Sequence, residues 1–228
     1  MARAKRRFIG NQVYHLLNRG NGRMDIFSQA EDYHAFERIL RQAVERFSIR
    51  LCCYCIMPNH WHLCLWPRQG QGDDISRFMQ WLTLTHTHRW HACRSTTGHG
   101  HLYQGRFKSF PVQGDAHLLK VFRYVEQNAL RARLVSAAQE WPYGSLRQRN
   151  NVAPADRTWL SDWPVPLPPD YMKTVNHIPD AAQLAALRLA SRRGRPFGTT
   201  AWTAGTASRL GLQSTLRPRG RPLLKKGT

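Results

Sequence analysis

The chain has 228 residues and a formal net charge of +20, an excess that repels itself in water and is best tolerated beside a polyanion, so DNA or RNA is the expected partner. Hydrophobic residues make up 42%, with eight Trp and nine Phe, which excludes a globally disordered chain and supplies one core, enough for a catalytic domain plus an extension. No run of about 18 apolar residues and no secretory signal is present, so no membrane partner is expected and the location is cytoplasmic, at the bacterial nucleoid. The odd set of five cysteines fits reduced thiols there.

In chain order, Val13 to Asn18 is a short apolar run closed by Asn18-Arg19-Gly20-Asn21-Gly22, and reads as a first strand with its exit loop. From Ala30 to Phe47 apolar residues recur three and four apart, the spacing of an amphipathic helix, with Ser28 or Glu31-Asp32 favouring its N-terminal end. Arg50 to Met57 and His60 to Trp66 are β-type runs divided by Pro58-Asn59, too short a joint for anything but an antiparallel hairpin. Cys52, Cys53, Cys55 and Cys64 fall in these strand runs and read as small core residues.

Helical spacing returns from Asp73 to about Cys93, a fourth strand is expected over Gly105 to Val112, and a helix from about Ala116 to Leu130. The order β-α-β-β-α-β-α predicts an α+β fold with a ferredoxin-like split β-α-β antiparallel sheet, helices on one face and the other partly free for a ligand. Residues 1–150 form this domain. Residues 151–228 contain a Pro-rich linker at Trp163 to Pro169, a short helix from Asp180 to Ser191, and a basic tail from Arg192 expected to order in large part only on a partner.

Alternate side chains of a strand share a face, so His60 and His62 project together and have the spacing to hold one divalent cation. Tyr124 and Asn128, four apart on a helix, stack on one face, where a phenol nucleophile and an amide-oxygen ligand meet one site. Each pair alone is also what a half-exposed strand or a helix surface carries. A zinc site built from Cys52, Cys53, Cys55 and the group His86, His88, His91 would lack any Cys-x-x-Cys unit.

Four segments in this order, Asn18-Arg19-Gly20-Asn21, Met57 to Leu63, Gln104 to Ser109 and Tyr124 to Asn128, closely resemble the REP-associated tyrosine transposases, single-tyrosine members of the HUH transposases, over about residues 8–150. The resemblance implies an HUH palm and a transposase that cuts single-stranded DNA at hairpin-forming repeats through a 5′-phosphotyrosine. Tyr124 would be the nucleophile, with His60, His62 and Asn128 holding Mg²⁺ or Mn²⁺. Glu126 and Gln127 gain no role. After Asn128 the family pattern is Pro-Val-Arg-Ala-Gly-Leu-Val, whereas this chain has Ala129-Leu130-Arg131-Ala132-Arg133-Leu134-Val135; Ala for Pro is expected to lengthen the helix and shift Asn128 slightly.

For DNA contacts the expected groups are Arg6, Arg7, Arg19, Arg23, Arg106, Lys108 and Arg131 on the domain. Arg193, Arg195, Arg219 and Arg221 belong to two Arg-Gly-Arg-Pro cores that resemble minor-groove AT-hook peptides. Family members differ in whether one chain completes the site, so a monomer or a homodimer is compatible. The alternative is a domesticated protein that binds DNA hairpins without cleaving them.

Overall fold

The computed structural model describes residues 6–153 and 156–217. Four strands, β1 (Val13–Arg19), β2 (Arg50–Met57), β3 (His60–Trp66) and β4 (Lys108–Val112), form one sheet in the order β2-β3-β1-β4. All pairings are antiparallel. This is the split β-α-β arrangement expected from the sequence: α1 (Ala30–Phe47) links β1 to β2, and α2 (Asp74–Cys93) links β3 to β4. β4 begins later than the apolar run suggested, after Gly105 takes a φ of 154°, which side-chain-bearing residues rarely adopt.

One face of the sheet presents Leu16, Tyr54, Trp61 and Leu63 to Phe36, Ile39, Phe78 and Leu82 of α1 and α2, all of them wholly buried. Each such side chain contributes about 1.5–3 kcal/mol. The Asp32–Arg94 ion pair near the surface belongs to a class worth about 0–1 kcal/mol, so apolar burial fixes how the helices sit. Asp32 closes the start of α1 by accepting from the backbone N–H groups of Ser28 and Gln29.

The opposite face is covered, where a partly free surface was expected. It carries His15, His62, Cys53, Cys64, Phe110 and Val112, and α3 (Ala116–Glu126), α4 (Asn128–Arg131) and α7 (Ala181–Arg193) lie over it. The short helices α5 (Ser145–Asn151) and α6 (Tyr171–Asn176) flank α3 and β2, and α8 (Thr200–Leu210) follows α7. The segment from 192 to 217 is thus folded, contrary to expectation. Leu210 enters the main core, and Phe197 pairs with Val112 beside β4. The first Arg-Gly-Arg-Pro core is built into this framework: Gly194 caps α7 at a φ of 70° while Arg193 donates to the carbonyls of Ser214 and Thr215. Arg219 and Arg221 lie outside the described residues.

The single helix expected over Ala116 to Leu130 is divided at Gln127. The cause is Asn128, whose side-chain Nδ2 donates to the carbonyls of Tyr124 and Val125 and so takes over acceptors that the continuing helix would use. α4 then closes with Arg133 at a φ of 58° and a bond from Leu134 N–H to the Ala129 carbonyl. A left-handed non-glycine residue costs about 1–2 kcal/mol, part of which glycine gives back in chain entropy. Arg133→Gly should therefore raise the unfolding free energy by about 0.5–1 kcal/mol in urea titrations; a loss of stability would mean that the arginine side chain makes a compensating contact.

Candidate active site

Strand alternation and the β1–β3 register bring the imidazoles of His60 and His62 to the covered face, below α3 and α4. Their ring centroids are 5.1 Å apart, and the Tyr124 ring stands edge-on to His62 at 5.8 Å. All of these side chains, with Asn128, border one cavity of about 880 Å³. The four residues singled out as nucleophile and ligands are thus brought together by one chain.

Hydrogen bonds decide which atom each side chain has left to offer. His60 Nδ1 lies 2.6 Å from Asn59 Oδ1, and that amide's Nδ2 donates to the Arg23 carbonyl, which leaves His60 Nε2 as the free nitrogen. His62 Nδ1 lies 2.8 Å from His15 Nε2, again leaving Nε2. Asn128 spends Nδ2 on the carbonyls of α3, so its Oδ1 remains an acceptor, approached at 3.2 Å by Arg131. Two imidazole nitrogens and an amide oxygen facing one cavity suit a divalent cation of hard or borderline character. Burial also keeps both imidazoles in the neutral, ligating form: it pushes His60 down to about 3 and His62 well below its ordinary value, with Arg19 and Arg131 adding to the effect.

Arg131 holds its guanidinium 4.6 Å from the centre of the Tyr124 ring, a cation–π contact that fixes the ring's plane. Among the described residues six cations, Arg19, Arg106, Lys108, Arg131, Arg188 and Arg192, line the cavity, and no carboxylate does. Arg188 and Arg192 come from α7 and were not legible beforehand, because only the fold brings that helix over the sheet. Of the other cations singled out from sequence, Arg6 stacks on Phe107 and bonds its carbonyl, Arg7 and Arg23 are exposed away from the cavity wall, and Arg195 is half-buried after α7.

Behind the site, Glu126 is buried and accepts from Tyr171 Oη at 2.6 Å and Ser145 Oγ at 2.7 Å. A carboxylate without an assigned role thus ties α3 to α6 and α5. The four β-strand cysteines are buried as expected, and Cys93 is exposed. Among the described residues there is no group of three or more His, Cys, Asp or Glu able to hold a metal, so the zinc alternative finds no support. No described helix is long and apolar enough to cross a membrane.

Residues 9–128 match the family model described as "Transposase IS200 like". Among solved structures, the chain is similar to a REP-associated tyrosine transposase bound to a REP hairpin, at 18% identity, covering 68% of this chain and 90% of that one, with a TM-score of 0.55. A putative transposase from Deinococcus radiodurans R1 aligns at 18% identity over 59% of this chain and 92% of its own, with a TM-score of 0.38. No curated protein matches the sequence. At such identity the first structural likeness shows a common fold.

Proposed function

Because the chain belongs to the IS200-like family of DNA transposases, we propose that it cuts and rejoins single-stranded DNA at hairpin-forming repeats, with Tyr124 as nucleophile beside a Mg²⁺ or Mn²⁺ site of His60, His62 and Asn128. The observation that carries this reading is that His60, His62, Asn128 and Tyr124 border one cavity which, among the described residues, six cations and no carboxylate line, with His60 Nε2, His62 Nε2 and Asn128 Oδ1 left as lone-pair donors. The hairpin is suggested by the ligand of the structural relative.

A phosphodiester resists nucleophiles because its anionic oxygens repel them, and a divalent cation held by the three ligands would offset that repulsion and the charge growing at phosphorus. Arg19, Arg106 and Lys108 hold the phosphates that flank the scissile one. Arg131 keeps the Tyr124 ring aimed along the line of attack. The Tyr124 oxygen bonds to phosphorus as the bond to the 3′ oxygen breaks; the phenolic proton passes to water, and the departing 3′ oxygen takes a proton from water. The products are a 5′-phosphotyrosine and a free 3′-hydroxyl, and attack by a 3′-hydroxyl on the phosphotyrosine rejoins the strand without ATP.

Incubating the protein with end-labelled hairpin oligonucleotides and Mn²⁺ or Mg²⁺ should give a DNA adduct that survives denaturing electrophoresis and disappears with chelator. Tight binding to many hairpins with no adduct under either metal would replace this reading with that of a hairpin-binding protein that does not cut.

A further inference from the structure

We propose that His15 is a positioning residue, which fixes the tautomer and the ring orientation of His62 so that His62 Nε2 faces the cavity as a lone-pair donor. The proposal rests on the cation site described above, and concerns a buried residue that does not line the cavity.

His15 lies on β1 opposite Cys64 of β3, two positions along from the Leu17–His62 pair, and its side chain shares the covered face with His62. It is 1% exposed and does not line the cavity. Its ring packs between Phe110 at 4.8 Å, His62 at 5.0 Å and Tyr124 at 6.3 Å. The contact that matters is His15 Nε2 to His62 Nδ1 at 2.8 Å, a distance at which two neutral imidazoles share one proton.

That proton has two possible homes. If it sits on His62 Nδ1, His15 Nε2 accepts and His62 Nε2 keeps its lone pair. If it sits on His15 Nε2, His62 Nδ1 accepts, His62 Nε2 carries the remaining hydrogen, and the ring cannot bind a cation. The two cavity histidines differ here. His60 is held by the Asn59 amide oxygen, which only accepts, so its Nδ1–H form is set outright. His62 is held by a ring that both donates and accepts, so its competence follows the tautomer of His15. A partner of this kind that orients a metal-binding histidine commonly changes metal affinity about 10- to 100-fold when removed.

Two substitutions separate this role from simple packing. His15→Phe keeps a ring between Phe110 and Tyr124 but removes the acceptor. His15→Gln places an amide oxygen near the former Nε2 position. In the full-length protein without DNA, Mn²⁺ binding followed by electron paramagnetic resonance should weaken about 10- to 100-fold in His15→Phe and recover at least in part in His15→Gln. Metal-free ¹⁵N NMR of the imidazoles should show His62 as the Nδ1–H tautomer in wild type and a shift towards Nε2–H in His15→Phe. Wild-type affinity in His15→Phe, with His62→Ala failing to bind, would overturn the role of His15 and leave the cation site standing. If wild type itself bound Mn²⁺ no better than His62→Ala, the cation site would fall and this role with it.

Discussion

Tyr124→Phe is expected to abolish covalent attachment to DNA, by about a thousandfold or more in adduct formation, while the fold and DNA affinity persist. The variant loses one oxygen. Tyr124 is 7% exposed, and its ring packs edge-on to His62 and beneath the Arg131 guanidinium, contacts that Phe retains, so that only the bond of the phenol with Arg131 is lost. The phosphate-binding cations and the two imidazoles do not depend on the hydroxyl. Binding measured by gel shift, and the thermal midpoint, should therefore match wild type while the denaturing gel shows no adduct. An adduct of undiminished yield would assign the nucleophile to another residue. Joint loss of adduct, binding and midpoint would show instead that the hydroxyl supports the fold.

Much of this site was legible before the structure, for reasons that its residues make clear. α1 and the β2–β3 hairpin fall at the expected residues because their patterns are strongly periodic and Pro58-Asn59 leaves no room for another joint. The pairing of His60 with His62 needs only strand alternation, and that of Tyr124 with Asn128 only the helical repeat. The rest depends on partners distant in sequence. His15 meets His62 only through the register of β1 on β3, although its alternation on β1 would have placed it on the right face once that pairing was assumed. Arg188 and Arg192 reach the cavity only because Leu187 and Ala190 of α7 pack on the sheet. α8 was not legible because, apart from Leu210, its buried residues are Thr203, Thr206 and Ala207, which are small or polar. The break at Gln127 comes from a side chain that bonds backward, which no periodicity reports.

Glu126→Ala is expected to destabilise the protein by about 2–4 kcal/mol and to slow adduct formation with it, although the residue never meets the substrate. Glu126 stands two residues after Tyr124, on the side of α3 away from the cavity, and its two oxygens take the hydroxyls of Tyr171 on α6 and Ser145 at the start of α5. Alanine strands the Tyr171 hydroxyl inside the protein and opens a void, whereas Ser145 can still donate to the Tyr54 carbonyl. Glu126→Gln should behave differently, because an amide of the same shape keeps both hydroxyls paired. Burial raises the Glu126 carboxyl above its ordinary range, against the opposing pull of the bonds from Tyr171 and Ser145. A folded-state value above the unfolded one means that the native protein binds the proton more tightly. The wild type therefore loses stability as pH rises from the ordinary carboxylate range through the raised value. Glutamine does not titrate, so the stability of Glu126→Gln relative to wild type should climb across that same window in urea unfolding series at stepped pH. Parallel pH profiles for the two proteins would show that the carboxyl titrates alike in both states. A climb together with normal adduct formation in Glu126→Gln, and its loss in Glu126→Ala, would establish that the nucleophile's helix is held in register by hydrogen bonds to the C-terminal half of the chain.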